Sequence, residues 1–290
     1  MNIKKIKEAV IEKAILACGV TSIVFVVLIL GFLLKEGLSL FKTVSLPDFL
    51  FGRHWYPISD PPRCGILPLI VGSFYVTLGA TLISVPLGIA SAVYIAEIAS
   101  PRIKEILKSG VELLAAIPSV VLGFIGMTTI VPLAKNLLNL PTGLTAFSGS
   151  IMLAFMAMPT IVSIAEDAIT AVPRKYKEAA LALGATRWQA IWRVILRASS
   201  TGIVAAVMLG IGRVIGETMA VMMITGNATH IPQSIFQPAR TLTAAIAAEM
   251  GETVRESTHY HALFAIGIVL FIITFIINLI ADFAVNRKIK

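Results

Sequence analysis

Residues 173–197 read PRKYKEAALALGATRWQAIWRVILR, the longest strongly basic interruption in a chain that is otherwise mostly hydrocarbon. Arg174, Lys175, Lys177, Arg187, Arg193 and Arg197 stand there against a single acid, Glu178. The run Glu-Ala-Ala-Leu-Ala-Leu consists of strong helix formers, which predicts a short helix over 175–183. Gly184 supplies a left-handed stop. Thr186 can then cap a second helix, with Gln189 three residues on completing a capping box. A helix of about nine residues is marginal alone in water, so this one must lie against something. Ala179 and Ala180 give it a small, smooth face that lets another surface approach closely. A solvated loop held by lipid headgroups is the ordinary reading of a basic stretch between spans. The glycine stop and the capped second helix favour a docking element.

Apolar runs extend on both sides of this stretch. The chain has 290 residues, 57% hydrophobic and 14% charged, with a mean hydropathy of +0.89. That usage excludes a soluble domain and predicts an all-α polytopic membrane protein. Runs of about the 20 residues a bilayer requires fall at 14–34, 66–95, 110–133, 148–172, 198–225 and 263–285, six transmembrane helices. The fourth ends near Glu166-Asp167. The 30-residue second run is longer than a bilayer needs, so a tilt or break is expected there. Between the first two runs lie His54-Trp55-Tyr56-Pro57 and Asp60-Pro61-Pro62, whose prolines forbid a regular helix. In the polar segment 226–260, residues 242–250 read as one helical arm. The net charge of +8 reports lysine and arginine concentrated on one membrane face, not a nucleic-acid partner. Sixteen Lys and Arg fall in the two termini and the even loops, seven in the opposite segments and one inside a span. Both termini and the basic stretch are therefore expected in the cytoplasm. Cys18 and Cys64 are expected on opposite faces and unpaired.

Enzyme chemistry finds no support. There is no Gly-Lys dipeptide and hence no Walker A loop, no His-Glu-x-x-His and no Gly-x-Ser-x-Gly. No catalytic residue, metal ligand set or cofactor is expected. In His259-Tyr260-His261, two histidines at i, i+2 diverge on a helix, which suits a membrane-interface cluster. Asn227-Ala228-Thr229 matches a glycosylation sequon, a pattern with many false positives.

The informative run is Gly210-Ile211-Gly212-Arg213-Val214-Ile215-Gly216-Glu217-Thr218. Arg213 falls mid-span, where an arginine costs about 2.5–3.5 kcal/mol even on the lenient insertion scale. Glu217 falls one helical turn on, on the same face. Two readings stand: the pair neutralises itself and holds the bundle together, or the glycines open a path in which the arginine fork meets a tetrahedral oxyanion. Pro118-Ser119 and Pro159-Thr160 each place a helix-breaking proline beside a hydroxyl. They are packing kinks or parts of a polar path.

Glu178-Ala179-Ala180, three residues, then Gly184 resembles the EAA loop of ABC importer permeases, in which Ala185 follows the glycine. The family continues with an apolar-x-Leu-Pro run, where this chain has Val194-Ile195-Leu196-Arg197. Trp55-Tyr56-Pro57, Gly65-Ile66-Leu67-Pro68-Leu69, Ile117-Pro118-Ser119-Val120-Val121-Leu122-Gly123, Met158-Pro159-Thr160-Ile161 and Gly212-Arg213-Val214-Ile215-Gly216-Glu217-Thr218-Met219 resemble phosphate-type permeases (PstC type). The resemblance implies a type I importer transmembrane domain over 66–290, preceded by a lead-in, first helix and outer segment over 1–65, in the inner membrane. It implies transport of phosphate by alternating access. Glu178, Ala179, Ala180, Gly184 and Ala185 would couple to the ATPase; Arg213, Glu217 and Thr218 would line the substrate path. It also implies a sister permease of the PstA type as heterodimer partner, two copies of a cytoplasmic ATPase and a phosphate-binding protein outside. An arginine fork does not itself choose among phosphate, sulfate, molybdate and phosphonates. A proton-coupled secondary transporter with Glu217 as carrier stands as the rival outside the class.

Overall fold

The computed structural model describes residues 3–286, mostly as helices. Of Lys4, Lys5 and Lys7 only the backbone is described, and Arg287, Lys288 and Lys290 lie outside the described residues. Helix α1 (Ile3–Ser39) leads through a 3₁₀ turn, Leu40–Lys42, to α2 (Leu46–Phe51), where the Ser45 hydroxyl caps by accepting from the Asp48 N–H at 3.2 Å. A short antiparallel hairpin pairs β1 (Trp55–Tyr56) with β2 (Arg63–Cys64). Helix α3 (Leu67–Val93) accommodates Pro68 in its first turn and continues through a π-turn, Tyr94–Ile98. Then come α4 (Pro101–Ala116), α5 (Ser119–Ile125), a π-turn over Gly126–Ile130, α6 (Val131–Leu137) and α7 (Ala146–Thr170). The basic stretch forms α8 (Arg174–Ala182), α9 (Arg187–Ala190), a π-turn over Ile191–Ile195 and α10 (Leu196–Ala198). The chain closes with α11 (Ser200–Gly216), α12 (Met219–Ile224), α13 (Leu242–Glu249) and α14 (Thr258–Asn286).

Helix α7 is the axis of the bundle, and α3 crosses it closely because the crossing points carry no side chain. A Cβ on Gly79 would fall 2.5 Å from Ser150 Oγ, and one on Gly88 would fall 2.8 Å from Ile161 Cγ2. Ser150 Oγ donates to both the Val76 carbonyl (3.2 Å) and its own helix's Ala146 carbonyl (2.8 Å). In lipid, where helix association draws little from the hydrophobic effect, such backbone approach is what holds helices together. On the flank, α1 lies against α14, with Phe32 edge-on to Phe264 at 5.4 Å.

Among the described residues, five helices are long and apolar enough to cross a membrane; a sixth arises if Arg187–Ala198 and Ser200–Gly216, bent by 71°, form one span. Two expected boundaries change. The third span is Ser119–Leu137, not 110–133. Pro118 forces Ile117 into extended backbone (φ −69°, ψ 128°), as a residue before proline prefers, so α4 ends at Ala116 and Pro118 precedes a helix and does not kink one. None of the residues of α4 is buried; Lys104 and Lys108 tie it to Glu166 at 2.7 and 2.8 Å. Hydrogen bonds to Asp167 and Glu166 hold the Lys108 ammonium above the usual lysine range. The fifth span is not continuous over 198–225: Gly216 ends α11, and α12 restarts at Met219. By contrast Pro159 sits inside an unbroken α7.

Cys18 and Cys64 are both free thiols. Cys64 is buried, and burial pushes its thiol up to about 11, so almost no thiolate exists at neutral pH. Ile58, in the turn of the hairpin, is 85% exposed. An impermeant maleimide applied to intact cells should therefore label Ile58→Cys and leave Cys64 unmodified. Thr186→Cys should react only after the cells are opened; labelling of Thr186→Cys in intact cells would reverse the expected orientation.

Candidate functional site

The basic stretch folds as its sequence dictates. Gly184 takes φ +84°, the Gly184 N–H donates to the Leu181 carbonyl (3.0 Å), and the Ala185 N–H donates to the Ala180 carbonyl (3.1 Å). This is a Schellman closure. The Thr186–Gln189 capping box is complete, with the Gln189 N–H donating to Thr186 Oγ1 at 3.3 Å and the Thr186 N–H to Gln189 Oε1 at 2.9 Å. Glu178 and Ala179 are exposed, and none of the residues of α8 is buried. The helix thus presents itself outward, with Leu183 beside it 90% exposed.

Arg213 sits in the last turn of α11 and donates from Nη1 to Thr160 Oγ1 on α7 at 3.2 Å. The three glycines around it divide their work. A Cβ on Gly210 would collide with Ile161 Cγ1 at 2.4 Å, so Gly210 allows α11 to press on α7. Gly212 and Gly216 have nothing within 4 Å of where a Cβ would be. Helix contact and open space, alternatives on sequence alone, are supplied by different members of the same run.

The expected pairing of Arg213 with Glu217 is not made. Glu217 leaves the helix in extended backbone (φ −69°, ψ 133°), which takes it off the face it would share with Arg213 one turn earlier. Its Oε1 accepts from the Ala220 N–H at 3.2 Å, satisfying an open donor at the start of α12, and its carbonyl accepts from Thr243 Oγ1 at 2.9 Å. Thr218 Oγ1 donates to the Gly216 carbonyl at 3.1 Å. Among the described residues no ion pair offsets Arg213, and one of the five N–H donors of its guanidinium is engaged. The structure joins Thr160 to Arg213; among the described hydrogen bonds none joins Pro118 or Ser119 to either.

Residues 84–290 match the family of binding-protein-dependent transport system inner membrane components. The chain belongs to that family. The probable ABC transporter permease protein YqgH of Bacillus subtilis (strain 168) is 40% identical, covering 94% of this chain and 89% of its own length. The phosphate transport system permease protein PstC of Pasteurella multocida (strain Pm70) is 32% identical, covering 83% of this chain and 80% of its own. Among solved structures, a bacterial alginate ABC transporter in complex with an alginate-pentasaccharide-bound periplasmic protein superposes with a TM-score of 0.67 at 17% identity, over 98% of this chain and 96% of that one. The inward-facing MetNI methionine ABC transporter gives 0.61 at 19% identity, over 77% of this chain and 97% of that one. The permease therefore has the fold of a type I ABC importer transmembrane subunit and is a non-catalytic, multi-pass membrane component.

Two contacts of the permease have no signal in its sequence, because the partners are far apart in the chain. At the basic end, Lys177 of α8 pairs with Glu97 in the π-turn after α3. At the opposite end, Glu249 gathers Trp55 Nε1 (3.0 Å), Arg240 and His259 Nε2 (2.8 Å) beside an open cavity of about 830 Å³. The histidines do diverge as their spacing requires: His261 lies 3.5 Å from Glu36 on α1 instead.

Because a Cβ on Gly184 meets no atom within 4 Å, substitution there costs backbone conformation alone. Gly184→Val should weaken the end of α8 by about 1–2 kcal/mol, the cost of a left-handed L-residue. Gly184→Asn should cost less, since asparagine tolerates that region. Amide exchange over residues 180–186 should rise roughly 5- to 30-fold in the valine variant. Equal exchange in both variants would contradict the closure.

Proposed function

We propose that this permease imports inorganic phosphate across the cytoplasmic membrane by alternating access, driven by a separate ATPase. Residues 66–290 form the transporting unit, and both termini lie in the cytoplasm. Helix α8 seats in the ATPase through Glu178, Ala179 and Ala180, with Gly184 and Ala185 closing it. A PstA-type sister permease completes the pathway as a heterodimer, two ATPase copies bind beneath, and a phosphate-binding protein delivers substrate to the opposite end. Curated relatives named as phosphate transport permeases support the substrate. The transmembrane fold supports the partner classes.

The observation that carries the reading is Arg213. A half-buried arginine within a span, serving only as structural glue, would be matched by a carboxylate. Arg213 instead leans on a neutral hydroxyl, keeps unspent donors and borders two glycines that leave space. A planar fork with free donors suits a tetrahedral oxyanion. Glu217 and Thr218 shape the path from the helix break beside it. A carboxylate engaged at the start of α12 is poorly placed to shuttle protons, which disfavours the proton-coupled alternative.

Loss of a charge-assisted hydrogen bond to substrate is worth about 1.5–3 kcal/mol, so Arg213→Gln should lower phosphate uptake roughly 10- to 100-fold with the complex still assembled. Arg213→Lys should fall between, retaining charge without the fork. Thr160→Val should be milder, because it removes only the support. Near-normal uptake by Arg213→Gln combined with Glu217→Gln would show that the charges serve the bundle and that phosphate is recognised elsewhere.

A further inference from the structure

Helix α8 rests against the π-turn over Ile191–Ile195 and has few other ties to the rest of the permease. None of its residues is buried, Pro173 precedes it, and Gly184 in the left-handed region follows it. Two clefts flank it, of about 460 and 480 Å³, and Glu97, Lys177 and Leu181 line both. The bridge between the clefts is the ion pair of Lys177 Nζ with the Glu97 carboxylate. Among the described residues it is the only side-chain hydrogen bond or ion pair from α8 to another element. Glu97 is 12% exposed and Lys177 35%. Lys104 also borders one cleft, but it is engaged with Glu166 at 2.7 Å and Thr170 at 3.2 Å, so it does not compete.

We propose that the Lys177–Glu97 pair is the strut through which movement of α8 is passed to the α3 span. Glu97 and Lys177 are then positioning residues for ATP-driven transport, an inference that rests on reading α8 as the ATPase-docking helix. A short helix with a turn at each end and no buried face can swing on those turns when pushed. A sideways tie to a rigid element converts the push into displacement of that element. The element tied is α3 with its π-turn, a 32-residue rod. Roughly 35 Å along it from Glu97, by helical rise, Ser73 Oγ accepts from the Leu242 N–H at 2.9 Å. There too the bare Cα of Gly72 lets the Arg240 carbonyl close in, since a Cβ would lie 2.4 Å from it. The rod therefore joins α8 directly to the segment that braces Glu217 through Thr243. Because the lysine is about a third exposed and α8 has no buried residue, the pair contributes modestly to folding stability, so removing it should spare the fold while loosening the linkage.

The test uses the full transporter in proteoliposomes, with both permeases, the ATPase and the binding protein. The readout is the ATP- and vanadate-induced change in maleimide labelling of a cysteine at Thr218, which does not depend on which anion is carried. Glu97→Gln and Lys177→Gln should each keep the ATPase co-purifying and hydrolysing ATP, while the labelling change falls by about fivefold or more. The charge-reversed double variant, Glu97→Lys with Lys177→Glu, should recover most of the response. A normal labelling response in the single variants would overturn the strut. So would loss of ATPase co-purification, which would make the pair a docking contact, or failure of the reversed pair to recover. A parallel complex with Thr218 intact that hydrolyses ATP in response to the binding protein but moves no phosphate would sink the substrate reading alone.

Discussion

The close crossing of α3 and α7 is the constraint on which the rest depends. Lipid offers helices little hydrophobic reason to associate, so the crossing must be secured by backbone approach. Gly79 and Gly88 supply it from α3, and Gly210 supplies a second approach from α11 onto the same Ile161 that Gly88 meets. Two helices thus converge on one isoleucine of α7, which becomes the post against which both neighbours are indexed. Thr160 is the next residue up that post, and it is where Arg213 lands. The arginine's position is therefore a consequence of packing before it is a matter of charge. A side chain added at Gly88 or Gly210 would displace the hydroxyl from the guanidinium.

The break between α11 and α12 is the second consequence. A continuous helix through residues 213–218 would bring Glu217 onto the face of Arg213 and let the two neutralise each other. Ending the helix at Gly216 prevents that. It directs the carboxylate to the Ala220 N–H and leaves the arginine with a neutral partner. An uncompensated cation in a low-dielectric setting attracts an anion far more strongly than one already paired. The break is also what the outer segment grips, through Thr243 on the Glu217 carbonyl.

Local features were legible in the sequence because local rules govern them. Gly184, Thr186 and Gln189 act within a turn or two of themselves, and each adopts the conformation its chemistry requires. The apolar runs announced the spans, since backbone in hydrocarbon must satisfy its own hydrogen bonds. What was not legible was where a run is interrupted. Pro118 and Pro159 sit in similar apolar surroundings, yet one precedes a helix and the other is absorbed within one. The difference lies in the neighbours: α7 is buried along most of its length and is held straight from both sides, whereas α4 has no buried residue to carry a helix through the proline. The Glu217 turn was missed for the same reason, because helical spacing presumes the helix continues. Lys177–Glu97 and the Glu249 cluster join residues 80 and up to 194 positions apart, separations at which one sequence carries no signal.

The two ends of the permease differ in mechanical character. Around Glu249 the hairpin, the 226–241 segment, α13 and α14 are clamped together, over an apolar cluster that includes Leu40, Phe49, Trp55, Leu69, Leu242 and Leu263. Helix α8 itself has no buried residue, and it sits between two clefts with one ionic tie, above an apolar cluster that includes Ile169, Ile191 and Ile195. Breaking the first arrangement exposes a core and leaves a half-buried carboxylate without its donors; shifting the second mainly rearranges exposed side chains. A load entering at the basic end is thus resisted least near its point of entry and most at the far clamp. Between them lies the short unwound link at Glu217 and Thr218, held to α11 by the Glu217 N–H on the Val214 carbonyl at 3.3 Å and to the outer segment by Thr243 on the Glu217 carbonyl. The link beside Arg213 is therefore where displacement carried along α3 meets the clamp, in the part of the run that Gly212 and Gly216 leave open.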